Sequence, residues 1–226
     1  MSLRITEHPS PNHEPRPAGA VVDLLMLHYT GMRSGSEALA RLCDPAAIVS
    51  SHYVVEEDGR VFRLVPEALK ARHAGISRWR GHSALNATSI GIEIVNPGHE
   101  WGYRHFPAMQ MAALADLCLE ILARHPIPAR NVVGHSDVAP DRKQDPGELF
   151  DWQGLAANGI GLWPERDGPA EGDPLALLGR IGYRTDLPLD VLITAFQRHW
   201  RQDEVNGLAD PGTLARLQAV AARIEA

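Results

Sequence analysis

Apolar residues along this chain fall into short, dense runs separated by polar and proline-rich stretches. Val21 to Leu27 is nearly continuous and too short for a helix, which predicts a strand buried on both faces and ending at His28. Ser36 to Leu42 predicts a short helix with Ser36 as its N-cap, closed by Asp44-Pro45. Residues 52–57 and 60–65 flank Asp58-Gly59, the two-residue signal of a β-hairpin. Residues 66–89, rich in Arg, His, Gly and Trp, have no period and predict a long loop of the functional kind. Ile90 to Val95 alternates, with its isoleucines on one face and Gly91, Glu93 and Val95 on the other. A helix is predicted from near Pro107 to Arg124, with Met111, Leu114, Ala115, Cys118, Ile121 and Leu122 as its buried stripe. Pro126 and Pro128 stop it, and Asn131 to Gly134 predicts another strand, ending at His135; residues 136–150 read as loop.

Strands and helices interleave, so the main part, residues 21–164, is expected to be α/β with a mixed central sheet flanked by helices. Residues 1–20 carry four prolines and read as an extended lead-in. Residues 165–173 turn rich in Pro, Gly and acid, which marks a linker. Residues 174–226 then read as a small all-α unit of three helices. The second has Leu189, Leu192, Ile193, Phe196 and Trp200 on one face; the third starts at Asp210-Pro211.

Composition narrows the function classes. Apolar residues are 44% of the 226, enough for a sizeable core, and the net charge of -6 gives no footprint for a nucleic-acid partner. No run approaches the roughly 20 apolar residues of a membrane span. The N-terminus lacks the apolar core of a secretion signal, so the expectation is a cytoplasmic start, or the cell envelope if a leader has been removed. Cys43 and Cys118 are far apart among apolar residues, and read as two buried thiols rather than a disulfide framework. Nothing in the pattern sets an oligomeric state.

With no cysteine pair, a metal site must use His and carboxylates. His28 and His135 each close a strand, and Asp145 follows ten residues after His135. Two imidazoles and one carboxylate on strand-end loops form an open three-ligand zinc set of the kind that activates water. The competing reading is that these are ordinary strand-end histidines and a turn Asp. Glu93 sits in an otherwise apolar strand, where a carboxylate is costly unless paired or facing a wet cleft. It is either a solvent-face Glu paired with an Arg or a general base beside the metal. Lys143 is either a solvated loop lysine or an ammonium placed to stabilise an oxyanion.

Longer motifs then add a resemblance. Leu27-His28-Tyr29-Thr30, Ser51-His52-Tyr53-Val54-Val55, His73-Ala74-Gly75, Ser89 to Glu93 and Gly134 to Gly147 occur in the order found in N-acetylmuramoyl-L-alanine amidases of the AmpD/AmiD type. Gly159 to Pro164 also resembles the AmiD branch. The resemblance covers about residues 20–163. It implies one Zn2+ per chain in a groove at the strand ends, held by His28, His135 and Asp145, with Glu93 and Lys143 catalytic. It implies hydrolysis of the amide between N-acetylmuramic acid, ordinary or 1,6-anhydro, and L-alanine of peptidoglycan or muropeptide stem peptides. Phage and animal relatives carry Cys where this chain has Asp145, which places the chain on the bacterial side. His73, Trp79 and Arg80 are expected to shape the groove, with the Arg meeting a peptide carboxylate. His52 is a spare imidazole and is not expected to be a ligand. Ala195 to Arg201 and Asn206 to Leu214 resemble a three-helix peptidoglycan-binding module. The reading from another class is a peptidoglycan recognition module that does not cut.

Overall fold

The computed structural model describes residues 3–225. Its strands are β1 (Ile5–Glu7), β2 (His13–Pro15), β3 (Leu24–Tyr29), β4 (Tyr53–Val55), β5 (Val61–Arg63), β6 (Leu69–Ala71), β7 (Arg78–Trp79), β8 (His82–Ser83), β9 (Ser89–Ile94) and β10 (Val132–Gly134). Its α-helices are α1 (Gly35–Cys43), α2 (Gly98–Trp101), α3 (Ala108–Arg124), α4 (His135–Val138), α5 (Trp152–Ala157), α6 (Pro174–Ile181), α7 (Leu189–Trp200) and α8 (Pro211–Glu225). Six strands form one mixed sheet in the order β1-β5-β4-β9-β3-β10, parallel except at the β4–β5 hairpin. The fold is therefore mixed α/β with helices on both faces.

Why β3 reads as a continuous apolar run is visible in where its side chains go. Leu25 and Leu27 join the core under α3, together with Ile90, Ile92 and Ile94 of β9 and Leu114, Leu117, Cys118 and Ile121 of the helix. Leu24 and Met26 face the other way, into a second core with Val133, Leu177, Ile181, Leu192, Phe196, Trp200, Leu217 and Val220. A strand buried on both faces needs apolar residues at every position. The C-terminal helices α6–α8 supply the second face, sharing one core with the sheet. By the same alternation, His28 and Glu93, which are in register across β3 and β9, lie on the same face as Leu24 and Met26.

Several local readings shift. The N-cap of α1 is Ser34, whose side chain accepts from Glu37 N, and not Ser36. The Pro-rich lead-in is extended but paired: β1 adds to the sheet beside β5, and β2 pairs with β6. The stretch 66–89 holds three short strands and a 3-10 turn at Leu85–Ala87, and 136–150 begins inside α4; neither has a side-chain period long enough to register. Cys118 is buried as expected, while Cys43 is only partly so. The motif residues of the tail have an internal use. Buried Gln197 donates to Asn206 Oδ1, Leu208 O and Thr213 Oγ1 and accepts from the Asn206 and Gly207 amides, which fixes the α7–α8 turn.

Glu67 ties the sheet to α3. It accepts from Tyr53 Oη at 2.7 Å, Arg124 Nη2 at 2.7 Å and His125 Nε2 at 2.7 Å. Burial alone would raise its pKa, but the hydrogen bonds from Arg124, Tyr53 and His125 outweigh that and bring it to about 2. A carboxylate whose pKa falls on folding contributes stability above its unfolded value and loses it as pH drops through the folded one. Glu67→Gln should therefore lower the denaturation midpoint at pH 7, and the gap from the wild type should close as pH falls from about 4.5 toward 2. Denaturant titrations of the two proteins over that range measure it; a gap constant with pH would contradict the clamp.

Candidate metal centre

Three side chains meet at the carboxyl ends of β3 and β10. His28 is the fifth residue of β3, His135 the first of α4, and Asp145 lies on the loop that follows. His28 Nδ1 is 3.0 Å from His135 Nδ1 and 3.0 Å from Asp145 Oδ2, and His135 Nδ1 is 3.1 Å from the same oxygen. All three are buried. The loop carrying Asp145 is held back on α4 by Ser136 N donating to Asp145 O at 2.9 Å.

The ring nitrogens that point away decide what this triangle can do. His28 Nε2 is 3.0 Å from His73 Nδ1, and His135 Nε2 is 3.2 Å from Ala74 O. A carbonyl only accepts, so His135 carries its proton on Nε2 and offers a bare Nδ1 to the triangle. His73 Nε2 in turn is 3.1 Å from Ser89 Oγ, whose hydroxyl donates to Leu85 O at 2.7 Å. With the hydroxyl committed to that carbonyl, Ser89 accepts from His73 Nε2, His73 Nδ1 accepts from His28 Nε2, and His28 Nδ1 is bare as well. The dipeptide His73-Ala74 thus orients both imidazoles. It is itself fixed by Asn86, whose Oδ1 accepts from His73 N at 3.0 Å and Ala74 N at 2.7 Å. Gly91 leaves room for it: a Cβ there would sit 2.4 Å from the His73 ring.

Two bare imidazole nitrogens and one carboxylate oxygen within about 3 Å of one another fit a metal that pulls on all three. Donors at zinc distances in a tetrahedron stand roughly 3.3 Å apart. The charge states agree. Burial, with the neighbouring His135, brings the pKa of His28 down to about 4, so its ring is neutral at pH 7. Burial opposes ionisation of Asp145, but the two imidazoles outweigh it and hold the carboxyl well below the usual range.

The donors open into a cleft of about 360 Å³, whose wall includes Glu93, Lys143, Tyr29, Arg41, Arg72 and Arg142. Glu93 Oε2 is buried with no hydrogen-bond partner among the described residues. Burial, and then the Asp145 carboxylate, push its pKa well above the ordinary value, against the pull of Lys143. His73 lines the same cleft, beneath His28. The structure does not bring Trp79 and Arg80 there. Trp79 is buried against Tyr183, and Arg80 donates from Nη1 to Ile181 O at 2.9 Å and from its backbone N to Gly182 O at 2.8 Å, at the C-terminal end of α6. A cation at the last carbonyls of a helix is well placed electrostatically, and that contact draws the loop away from the cleft. The cationic wall is instead Arg41, Arg72 and Arg142; Arg142 stands next to Lys143 in the motif, which was the available signal. His52 is not part of the group. Its Nδ1 accepts from Gly91 N at 3.0 Å, its Nε2 donates to Leu69 O at 3.1 Å, and burial brings its pKa down to about 3. The roles of Ala74, which lies within the motif His73-Ala74-Gly75, and of Asn86 have no signal in sequence, because a backbone carbonyl and a loop amide carry no chemical signature.

Comparison with known proteins places this geometry. Residues 18–148 match the family Amidase_2, N-acetylmuramoyl-L-alanine amidase, and the chain belongs to it, as an enzyme of that class. Among individual proteins, N-acetylmuramoyl-L-alanine amidase AmiD of Escherichia coli (strain K12) is 41% identical over 231 residues, covering 88% of this chain and 82% of AmiD. The 1,6-anhydro-N-acetylmuramyl-L-alanine amidase AmpD of the same organism is 34% identical over 161 residues, covering 64% of this chain and 86% of AmpD. In three dimensions, AmiD from E. coli in complex with the substrate anhydro-N-acetylmuramic acid-L-Ala-D-gamma-Glu-L-Lys superposes with a TM-score of 0.80 at 38% identity, covering 92% of each chain. AmpDh3 from Pseudomonas aeruginosa in complex with anhydromuramic pentapeptide gives 0.82 at 33% identity, covering 92% of this chain and 94% of the other.

If Asn86 sets both imidazoles, removing its side chain should loosen a metal without touching a donor atom. Asn86→Ala should weaken zinc binding by about 10- to 100-fold, the usual range for groups that orient metal ligands. Competition against a chromophoric chelator reads this directly, and an unchanged affinity would contradict the role given to Asn86.

Proposed function

We propose that this chain is a zinc-dependent amidase that cleaves the amide between the lactyl group of N-acetylmuramic acid, including its 1,6-anhydro form, and L-alanine of the stem peptide. One observation carries this reading: two bare imidazole nitrogens and a carboxylate oxygen converge in a cleft that also holds a buried, unpaired carboxylate oxygen of Glu93. The anhydro-muropeptides held by the related AmiD and AmpDh3 support the choice of substrate.

His28, His135 and Asp145 hold the ion. A zinc ion held there would supply Lewis acidity toward the scissile carbonyl and the attacking water. Glu93 accepts the proton of the attacking water and returns it to the alanine nitrogen as the C–N bond breaks. Among the described residues no hydrogen bond competes for its buried Oε2, and its raised pKa brings its basicity closer to the working pH. The Lys143 ammonium faces the charge that develops on the carbonyl oxygen. Arg41, Arg72 and Arg142 along the cleft wall suit the carboxylates of the stem peptide. Residues 174–226 we read as peptidoglycan-binding-like, on the motifs at Ala195–Arg201 and Asn206–Leu214.

Glu93→Gln should lower turnover of a soluble anhydro-muropeptide by about 10²- to 10⁴-fold while zinc content stays at one per chain. Asp145→Ala should lose the zinc. Mass spectrometry of released stem peptide and elemental analysis of the purified proteins test both. Full activity of Glu93→Gln would remove the base, and normal zinc in Asp145→Ala would remove the triad.

A further inference from the structure

Asp137 lies two residues past His135, is 1% exposed, and belongs to no part of the mechanism above. Its Oδ2 accepts from Gly134 N at 2.7 Å, the amide at the turn from β10 into α4. The other donors to this carboxylate come from the C-terminal helices. His199 Nδ1 on α7 reaches Oδ2 at 2.7 Å, and the hydroxyl of Tyr183, just after α6, donates to Oδ1.

Both donors are rigidly held. The His199 ring is stacked between Trp152, at 3.8 Å between ring centres, and Trp200, at 4.0 Å. Tyr183 is buried with its ring edge-on to Trp79. The turn they brace is tight: a Cβ on Gly134 would fall 2.8 Å from Pro146 and 3.3 Å from Trp152. The strand end, the Asp145–Pro146 loop and α5 therefore meet at Gly134, and His135 is the next residue. A carboxyl group this deeply buried holds its position only while its hydrogen-bond partners remain. Neither Tyr183 nor His199 lines the cleft.

We propose that the C-terminal helices are a structural arm of the metal centre: Tyr183 and His199 hold Asp137, Asp137 holds the β10–α4 turn, and that turn presents His135 to the ion. Tyr183 and His199 are thus positioning residues, and the helical unit contributes to zinc retention even with soluble substrates. The inference rests on the zinc reading above.

The test uses the full chain loaded with zinc and follows release of the ion to an excess of chromophoric chelator. His199→Leu should release zinc about 10- to 100-fold faster than the wild type. His199→Asn, which puts an amide N–H near the place of Nδ1–H, should restore most of the retention. Tyr183→Phe removes one hydroxyl with little change in packing and should accelerate release to a smaller degree. Val220→Ala, a core truncation in α8 that removes no hydrogen-bonding group, serves as the control for general destabilisation and should release zinc at the wild-type rate. Wild-type release from both His199→Leu and Tyr183→Phe would overturn the inference, as would equally fast release from Val220→Ala at a matched loss of thermal midpoint. A wild-type protein that takes up no zinc would instead overturn the metal reading on which it rests.

Discussion

The site depends on where two protons sit. Each imidazole offers a lone pair to the shared point only while its other nitrogen carries a proton and has somewhere to send it. Ala74 O receives that of His135, and the chain His73–Ser89–Leu85 receives that of His28. If either outlet failed, a ring could place N–H toward the triangle, and a cation would meet a donor instead of a ligand. One loop dipeptide thus serves both rings, and the single side chain of Asn86 holds that dipeptide.

The sheet explains why the loop is there. Parallel strands β3 and β10 pair as far as Leu27 and Gly134, so the next residues, His28 and His135, emerge side by side although 107 positions separate them. Register between β3 and β9 sets Glu93 beside His28 on the same face. The part of that face at Leu24, Met26 and Val133 is closed by the C-terminal helices, which share one core with these residues. The arrangement links stability and chemistry: the helices that bury the strands also carry Tyr183 and His199 to the carboxylate behind His135.

Much of this was legible in the sequence, and the reasons are specific. Continuous apolar character marked β3, alternation marked β9, and a 3.6-residue stripe marked α3, because each element buries a face wide enough to imprint its period. Glu93 stood out as a carboxylate in an apolar strand, and the structure leaves its oxygen unpaired in the cleft. Spacing could not reveal the triangle, since partners so far apart meet only through the sheet; the motifs resembling a family brought them together. Trp79 and Arg80 looked like groove residues because a Trp-Arg pair in an aperiodic loop suits ligand contact equally well. Their actual neighbours, Tyr183 and the last carbonyls of α6, lie a hundred residues downstream. The helices of 174–226 were readable one by one, but their place on the sheet was not, because an apolar stripe does not say which surface it covers.

The central claim is that both imidazoles bind through Nδ1, with His73 behind His28 rather than on the metal. A crystal structure of the zinc-loaded protein, with anomalous data on both sides of the zinc absorption edge, tests it most directly. The account predicts a single anomalous peak touching His28 Nδ1, His135 Nδ1 and the Asp145 carboxylate, with both Nε2 atoms still directed at His73 and Ala74. A zinc bound through Nε2 of either histidine, or one that recruits His73 as a ligand, would contradict it.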